Sequence, residues 1–260
     1  MNDMQPEARA LSSETTETLL NRVSVRSFTD EPVTDEQVEA VLHAAFRAPT
    51  SSNIQSYSVL VVRDAETLDK LSVVTAGQKH VKHAPVFLAF CADLTRIDAA
   101  VRANGGNFDR NNLETGLVSS IDASLVGMAA YLAADSLGMK GVMIGAVRNS
   151  ASETAKILGL PRRVFCAFGM VLGWPDKVPP QKPRMAETAT IHWESYGRAK
   201  DGGAVDPGVA AYDKQLAAHY RGLGMKTTDD SWSHDMAKKF MPEPREHLRK
   251  ELKDQGFDFI

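Results

Sequence analysis

A chain of 260 residues is long enough for one large domain or two small ones. Its apolar share of 43% and charged share of 24% are those of an ordinary globular protein. A net charge of −3 gives no basic field with which to hold nucleic acid or an anionic membrane. Met1 to Thr16 is polar and acidic with no signal-peptide core, and no apolar run reaches the length of a membrane span, so a cytoplasmic protein is expected. Cys91 and Cys166 each lie in an apolar run without CxxC or Cys/His spacing, which reads as two buried free thiols in a reducing compartment.

In chain order, residues 1–14 read as a disordered tail, and a helix over 15–22 carries Leu19 and Leu20 to the segment Arg22-Val23-Ser24-Val25-Arg26-Ser27-Phe28. Alternation there sends Arg22, Ser24 and Arg26 to one side of an extended chain and the valines to the other. Two guanidinium forks and a hydroxyl suit a phosphate, although the same pattern by itself also fits a solvated edge strand. Thr34 and Gln37 form a capping box for a helix with Val38, Val41, Leu42 and Ala45 on one stripe. Thr50-Ser51-Ser52-Asn53 is a hydroxyl-rich loop, Tyr57 to Val62 a β-branched strand and Asp64 to Val73 a helix. Gly77 to His83 is polar and leads into a buried strand over Val86 to Phe90.

Asn104 to Gly116 reads as a mobile Asn- and Gly-rich loop. The helix after it, with Ile121, Leu125, Met128 and Leu132, is apolar nearly all round, as a central or interface helix would be, and Gly138 is its natural stop. Val142 to Ala146 is a short strand or turn with bare backbone at Gly145, Ser152 to Leu160 a helix, and Phe165 to Leu172 a fully apolar strand. A Pro-rich connection reaches Lys182-Pro183-Arg184. The texture changes near residue 196, after which helices are expected over about 209–221 and 232–253, the latter interrupted by Pro242 and Pro244. This gives a core over 15–195 and a C-terminal excursion over 196–260.

No GxGxxG follows a strand, and neither GxxxxGK[ST] nor GxSxG occurs, so a phosphate would be held by side chains such as Arg22, Arg26, Lys182 and Arg184. His80-x2-His83 lacks a third ligand at metal spacing and reads as loop or surface histidines. Ser233-His234-Asp235 are sequence neighbours that cannot aim at one another as a triad must, and read as a helix start. Hydrolysis is poorly supported, which leaves chemistry carried by a bound cofactor.

The ordered set RVSVRSFTDEPV (22–33), RAPTSSNIQ (47–55), GQKHV (77–81), FCAD (90–93), SLGMKGVMIGAVRN (136–149), FGMVLGWP (168–175) and KPR (182–184) resembles the flavin reductase and oxygen-insensitive nitroreductase group of the nitroreductase superfamily. The resemblance implies an α+β fold with a mixed, mainly antiparallel sheet flanked by helices. It also implies an intertwined homodimer with two FMN sites, the C-terminal excursion reaching across the partner. By position, Arg22, Ser24 and Arg26 would surround the FMN phosphate and the pyrimidine side of its ring, with Lys182 and Arg184 completing the phosphate clamp. Thr50, Ser51, Ser52 and Asn53 would approach from the second subunit, Gln78 would hydrogen-bond the cofactor, and Ile144 and Gly145 would lie against the ring.

The implied activity is NADPH- or NADH-dependent two-electron reduction of nitroaromatics or quinones. Hydride would pass through flavin N5 in two alternating half-reactions, with Ser52, Gln78 and Arg245 orienting the acceptor. A flavin reductase feeding a monooxygenase and a non-catalytic flavin-binding or sensory protein are the alternatives. Val23 stands where a second cation is common. The NADPH-specific arginines appear as Leu223 and Thr228, which leaves Arg221 and Lys226 as candidates for the 2′-phosphate. Arg245 is read either as facing the open side of the ring or as an exposed helix cation.

Overall fold

The computed structural model describes residues 11–109 and 111–259, so residues 1–10 of the expected tail lie outside the described residues. The chain divides into two units: the residues up to Pro179 together with those from Arg245 onward, and Pro180–Pro244.

In the first unit, local signals set the helix starts. Ser13 caps α1 (Glu14–Leu20), which begins one residue before its expected start. Thr34 caps α2 (Asp35–Ala45) through the reciprocal box, Gln37 N to Thr34 Oγ1 at 3.2 Å and Thr34 N to Gln37 Oε1 at 2.9 Å. β1 (Tyr57–Val62) has the expected bounds. After it come α3 (Ala65–Val74), a helical turn α4 (Lys79–Lys82), β2 (Val86–Asp93) and α5 (Thr95–Ala103).

The stretch expected to be a loop from Asn104 to Gly116 is shorter. Asn112 accepts from Thr115 N at 3.1 Å and so caps α6 (Leu113–Ser136), an asparagine serving the helix rather than the loop. β3 (Lys140–Ile144), a 3-10 turn (Gly145–Ser150), α7 (Ala151–Ile157) and β4 (Val164–Gly173) follow. The expected helix over 232–253 is broken around its prolines into α9 (Ser231–Phe240) and α10 (Leu248–Asp254), and α10 belongs to the first unit.

The sheet has the order β1-β2-β4-β3, and among the described residues its pairings are all antiparallel, where a mixed, mainly antiparallel sheet was expected. The physical reason is the placement of β4. β2 and β3 run parallel to each other, linked across α5 and α6, but β4 lies between them and pairs antiparallel with both. The central strands β2 and β4 are buried along almost their whole length, as their unbroken apolar runs require. Leu88, Phe90, Met170 and Leu172 pack on one face with Val38 and Val41 of α2 and Val126, Ala130 and Tyr131 of α6. Phe87, Ala89, Cys91 and Val171 pack on the other with Leu68 and Leu71 of α3. The ring of Phe87 passes over Gly169, where a Cβ would lie 2.0 Å from its Cζ.

Cys91 and Cys166 face each other across β2 and β4 as buried free thiols. The hydrogen bond with Cys166, then burial, pushes the Cys91 thiol far above its ordinary value and keeps it protonated.

α6 buries Gly116, Ser119, Asp122, Ala123, Val126, Gly127, Ala130, Tyr131 and Ala134. Its other apolar face is open: Leu117 is 45%, Ile121 53% and Leu125 39% exposed. By length and composition alone this helix could cross a membrane. Its buried side instead packs against α2 and the sheet and carries a hydrogen-bonded carboxylate, Asp122.

In the second unit, α8 (Val209–Gly222) lies against α9, with the Tyr212 and Trp232 rings edge-on at 6.0 Å. Asp213 of α8 accepts from Trp232 N, Ser233 N and Ser233 Oγ at 2.7, 2.8 and 2.7 Å. Ser233-His234-Asp235 is thus a capped helix start, as its spacing implied.

Candidate functional site

The segment of alternating cations is extended, and the alternation is realised: Val23 and Val25 are buried, Arg22 and Ser24 half-buried, and Arg26 exposed. Two bonds fix it. Val25 N donates to Gly141 O at 3.1 Å, and Tyr131 of α6 donates its hydroxyl to Val23 O at 2.5 Å. Arg22 Nη1 reaches Ser24 Oγ at 3.4 Å and its guanidinium lies 5.6 Å from the Tyr131 ring centre. The cations and the hydroxyl are thereby laid along the start of β3. That strand ends at buried Ile144, and half-buried Gly145 opens the 3-10 turn directly after it, roughly 13 Å farther on at the usual strand rise.

Gln78 is half-buried at the start of α4 and does not use its side chain to cap that helix. His80, expected on a loop or at the surface, is a half-buried residue of α4 whose Nε2 is buried without a partner. Burial, then the charge of Arg26, lowers its pKa, so the ring is neutral at pH 7. This links Arg26 electrostatically to the GQKHV segment.

Ser51–Asn53 forms an exposed 3-10 turn after the half-buried, extended Thr50, and in it Ser52 and Asn53 adopt left-handed φ of 46° and 57°. Asp122 on the buried face of α6 holds it from a distant part of the chain. Its Oδ1 accepts from Ser51 N at 3.0 Å, and its Oδ2 accepts from Ser56 N at 3.1 Å and Ser56 Oγ at 2.9 Å. Sequence reading passed over Asp122, although a lone carboxylate among the apolar residues of that helix is a signal for it.

Arg245 is not a helix cation. It sits before α10 with a φ of 55°, half-buried, donating Nε to Asn149 Oδ1 at 3.2 Å and Nη2 to Gly145 O at 3.5 Å. The structure therefore brings Arg245 to Gly145. A second guanidinium, Arg148, was also missed; its Nη2 lies 3.4 Å from where a Cβ on Gly145 would stand.

The remaining candidates belong to the second unit. Lys182 donates Nζ to Tyr220 Oη at 2.8 Å and lies 4.9 Å from that ring's centre, and exposed Arg184 bonds the carbonyls of Lys182 and Pro183. Lys182 and Arg221 thus share one end of α8. Arg221 pairs with Asp229 at 2.5 Å, while Lys226 is exposed.

An extended cationic and hydroxylic segment, leading along a strand to an apolar end with bare backbone, fits a flat ligand with an anionic tail on an α+β scaffold. The chain belongs to the nitroreductase family: the family pattern matches residues 19–174 and its C-terminal domain residues 182–260. It is 36% identical over 246 residues to the oxygen-insensitive NADPH nitroreductase of Salmonella typhimurium, covering 94% of this chain and 98% of that one. It is 35% identical over 248 residues to the FMN reductase [NAD(P)H] of Bacillus subtilis, covering 94% and 98%. The solved structure of the NfrA1 nitroreductase of B. subtilis superposes with a TM-score of 0.87 at 32% identity, covering 94% of this chain and 99% of that one.

Proposed function

We propose that the protein is an FMN-dependent NAD(P)H oxidoreductase that reduces nitroaromatics or quinones by two electrons. The observation that carries this reading is the Arg22–Ser24–Arg26 row anchored beside the strand that leads to Gly145. The donor set fits FMN: guanidinium forks and a hydroxyl for its phosphate, an apolar strand end for its ring, and polar groups to spare near Arg26. The unpartnered Nε2 of His80 and the carboxamide of Gln78 are those spare groups.

Arg22, Ser24 and Arg26 would hold the phosphate and pyrimidine end, with Lys182 and Arg184 as further phosphate ligands and Ile144 and Gly145 against the ring. Bound FMN supplies two-electron exchange between donor and acceptor. Ser52, Gln78 and Arg245 position the acceptor, and no side chain serves as a nucleophile. Arg221 and Lys226 are the candidates for a 2′-phosphate; the Asp229 partner of Arg221 competes with that role, and both NADPH and NADH are proposed as donors.

We further propose a cytoplasmic homodimer in which Thr50 to Asn53 complete the partner's site. The open apolar face of α6 supports the dimer, and the exposed Tyr196, Phe240 and Met241 support a contribution from the C-terminal excursion. The buried free thiols Cys91 and Cys166 suit a reducing compartment.

The test is the absorption spectrum of the purified protein and of Arg26→Ala. The wild type is expected yellow and bleached by NAD(P)H, the variant colourless; a variant that keeps its full flavin removes the assignment. Parallel double-reciprocal lines are expected in steady state. The name of the B. subtilis relative favours a second reading, reduction of free flavin, which relative turnover of free FMN and a nitrofuran separates.

A further inference from the structure

Two guanidinium groups converge on Gly145 from separate elements. Arg245 reaches its carbonyl with Nη2 at 3.5 Å. Arg148, three residues on in the 3-10 turn, has Nη2 3.4 Å and Cζ 4.0 Å from the position a Cβ would take. The charge of Arg245 acts unfavourably on Arg148, and among the described residues the groups that hold them are neutral: Arg148 Nη1 donates to Ala167 O, and Arg245 donates to Asn149 Oδ1 and Gly145 O.

The carboxylate of Glu251 is engaged elsewhere. Glu251 of α10 accepts from Ser150 Oγ, Ala151 N and Ser152 Oγ at 3.2, 2.7 and 2.9 Å. Glu246, the chain neighbour of Arg245, forms no ion pair with it, and among the described residues neither arginine is part of a salt bridge. On its inner side Arg148 lines a hollow of about 250 Å³ whose walls include Phe165, Phe168, Phe259, Ser120 and Ser124, none of which carries charge. Burial, then the charge of Arg245, lowers the Arg148 pKa, as expected for a cation short of counter-charge.

We propose that Arg148 and Arg245 form a receptor for an anionic group on the molecule reduced at this site, which makes carboxylate- or sulfonate-bearing acceptors its preferred substrate class. The inference rests on the proposed function, that an acceptor is reduced beside Gly145. The physical reason is the asymmetry of burial: two half-buried cations without a carboxylate gain from an anion what a neutral acceptor cannot supply, and two forks fit a planar carboxylate. For a nitroaromatic the overall step balances as R–NO2 + NAD(P)H + H⁺ → R–NO + NAD(P)⁺ + H2O. The nitro group is reduced by two electrons and one oxygen leaves as water, while the remote anionic group takes no part.

The experiment compares kcat/KM of the holoenzyme for 4-nitrobenzoate and 4-nitrobenzamide in wild type, Arg148→Gln, Arg245→Gln and the two Arg→Lys variants. Each Gln variant should lower the benzoate-to-benzamide ratio at least tenfold relative to wild type, and the Lys variants, which keep the charge but lose the fork, should restore part of it. In wild type, benzoate should compete with the acceptor at concentrations at least tenfold below benzamide, a readout that needs no variant to fold. Ratios that stay put in the Gln variants, or equal inhibition by the two compounds, overturn the receptor while leaving the oxidoreductase intact. Variants that raise KM for NADH and NADPH but leave the acceptor ratio unchanged assign the arginines to the dinucleotide's pyrophosphate and also overturn it. A flavin-free wild type that reduces neither compound overturns the proposed function and the receptor together.

Discussion

Replacing Asp122 with alanine tests whether one buried carboxylate holds the loop assigned to the flavin. The carboxylate accepts three hydrogen bonds, from Ser51 N, Ser56 N and Ser56 Oγ, between 2.9 and 3.1 Å. Ser51 is exposed, so water replaces its lost partner at little cost, but Ser56 is only 1% exposed and its two donors stay dry. With each donor to a charged acceptor worth about 1.5–3 kcal/mol, the loss comes to about 4 kcal/mol. That is a large part of a typical folding free energy of about 5–15 kcal/mol, and for a chain of this size it lowers Tm by about 10 °C.

The turn suffers in addition. Ser52 and Asn53 hold left-handed backbone only because the surrounding contacts impose it. Once released, they should weaken FMN binding at least tenfold. Urea denaturation of the apoprotein gives the first quantity, and quenching of flavin fluorescence on titration gives the second. A midpoint shift worth less than about 1 kcal/mol would refute the bonding argument, since one net hydrogen bond contributes that much. Full destabilisation with unchanged FMN affinity would instead take the Thr50–Asn53 turn out of the site.

Gly169→Ala places a methyl carbon 2.0 Å from Phe87 Cζ in the middle of the sheet, and the fully buried ring has nowhere to go. A destabilisation of about 2–3 kcal/mol is expected in denaturant melts at constant m-value. Ile121→Glu combined with Leu125→Glu puts two charges on the open face of α6. It should convert a dimer to monomers in sedimentation velocity, with loss of bound flavin, whereas an unchanged sedimentation coefficient would place the dimer contact elsewhere. Burial raises the pKa of Asp93, but hydrogen bonds from the Ser58 and Thr95 hydroxyls and from Thr95 N, with Arg96 nearby, more than offset this and hold it below its ordinary value. A folded pKa below the unfolded value contributes stability that is present above about pH 4 and lost as pH falls through the folded value. Asp93→Asn should therefore be less stable than wild type at pH 7, with the gap narrowing as pH falls below the ordinary carboxylate range; a gap that widens on acidification would reverse that sign.

What the chain reveals locally, it reveals well. The Thr34–Gln37 box, the β-branched run Tyr57 to Val62 and the unbroken apolar runs of β2 and β4 each carry their own conformational preference, and each forms where expected. The Arg22–Ser24–Arg26 alternation is likewise realised, because burying Val23 and Val25 forces the other side outward. The misreadings are of residues with two local uses. Asn112 is both a loop former and a cap, and only the helix following it decides between them.

The rest depends on partners far away in sequence. That β4 lies between β2 and β3, making the sheet wholly antiparallel, follows from which strands bury each other rather than from any strand's own composition. That Asp122 holds a turn some seventy residues earlier, with separations of 71 and 66 positions, could not be read from a helix whose neighbours were unknown. The arrival of Arg245 at a carbonyl 100 positions away is of the same kind. Sequence by itself determined which segments are helical or extended and which faces avoid water, because those preferences act within a few residues. Only the tertiary structure decided which charges meet and which lack a counter-charge, because electrostatic pairing depends on distances in space that packing alone sets.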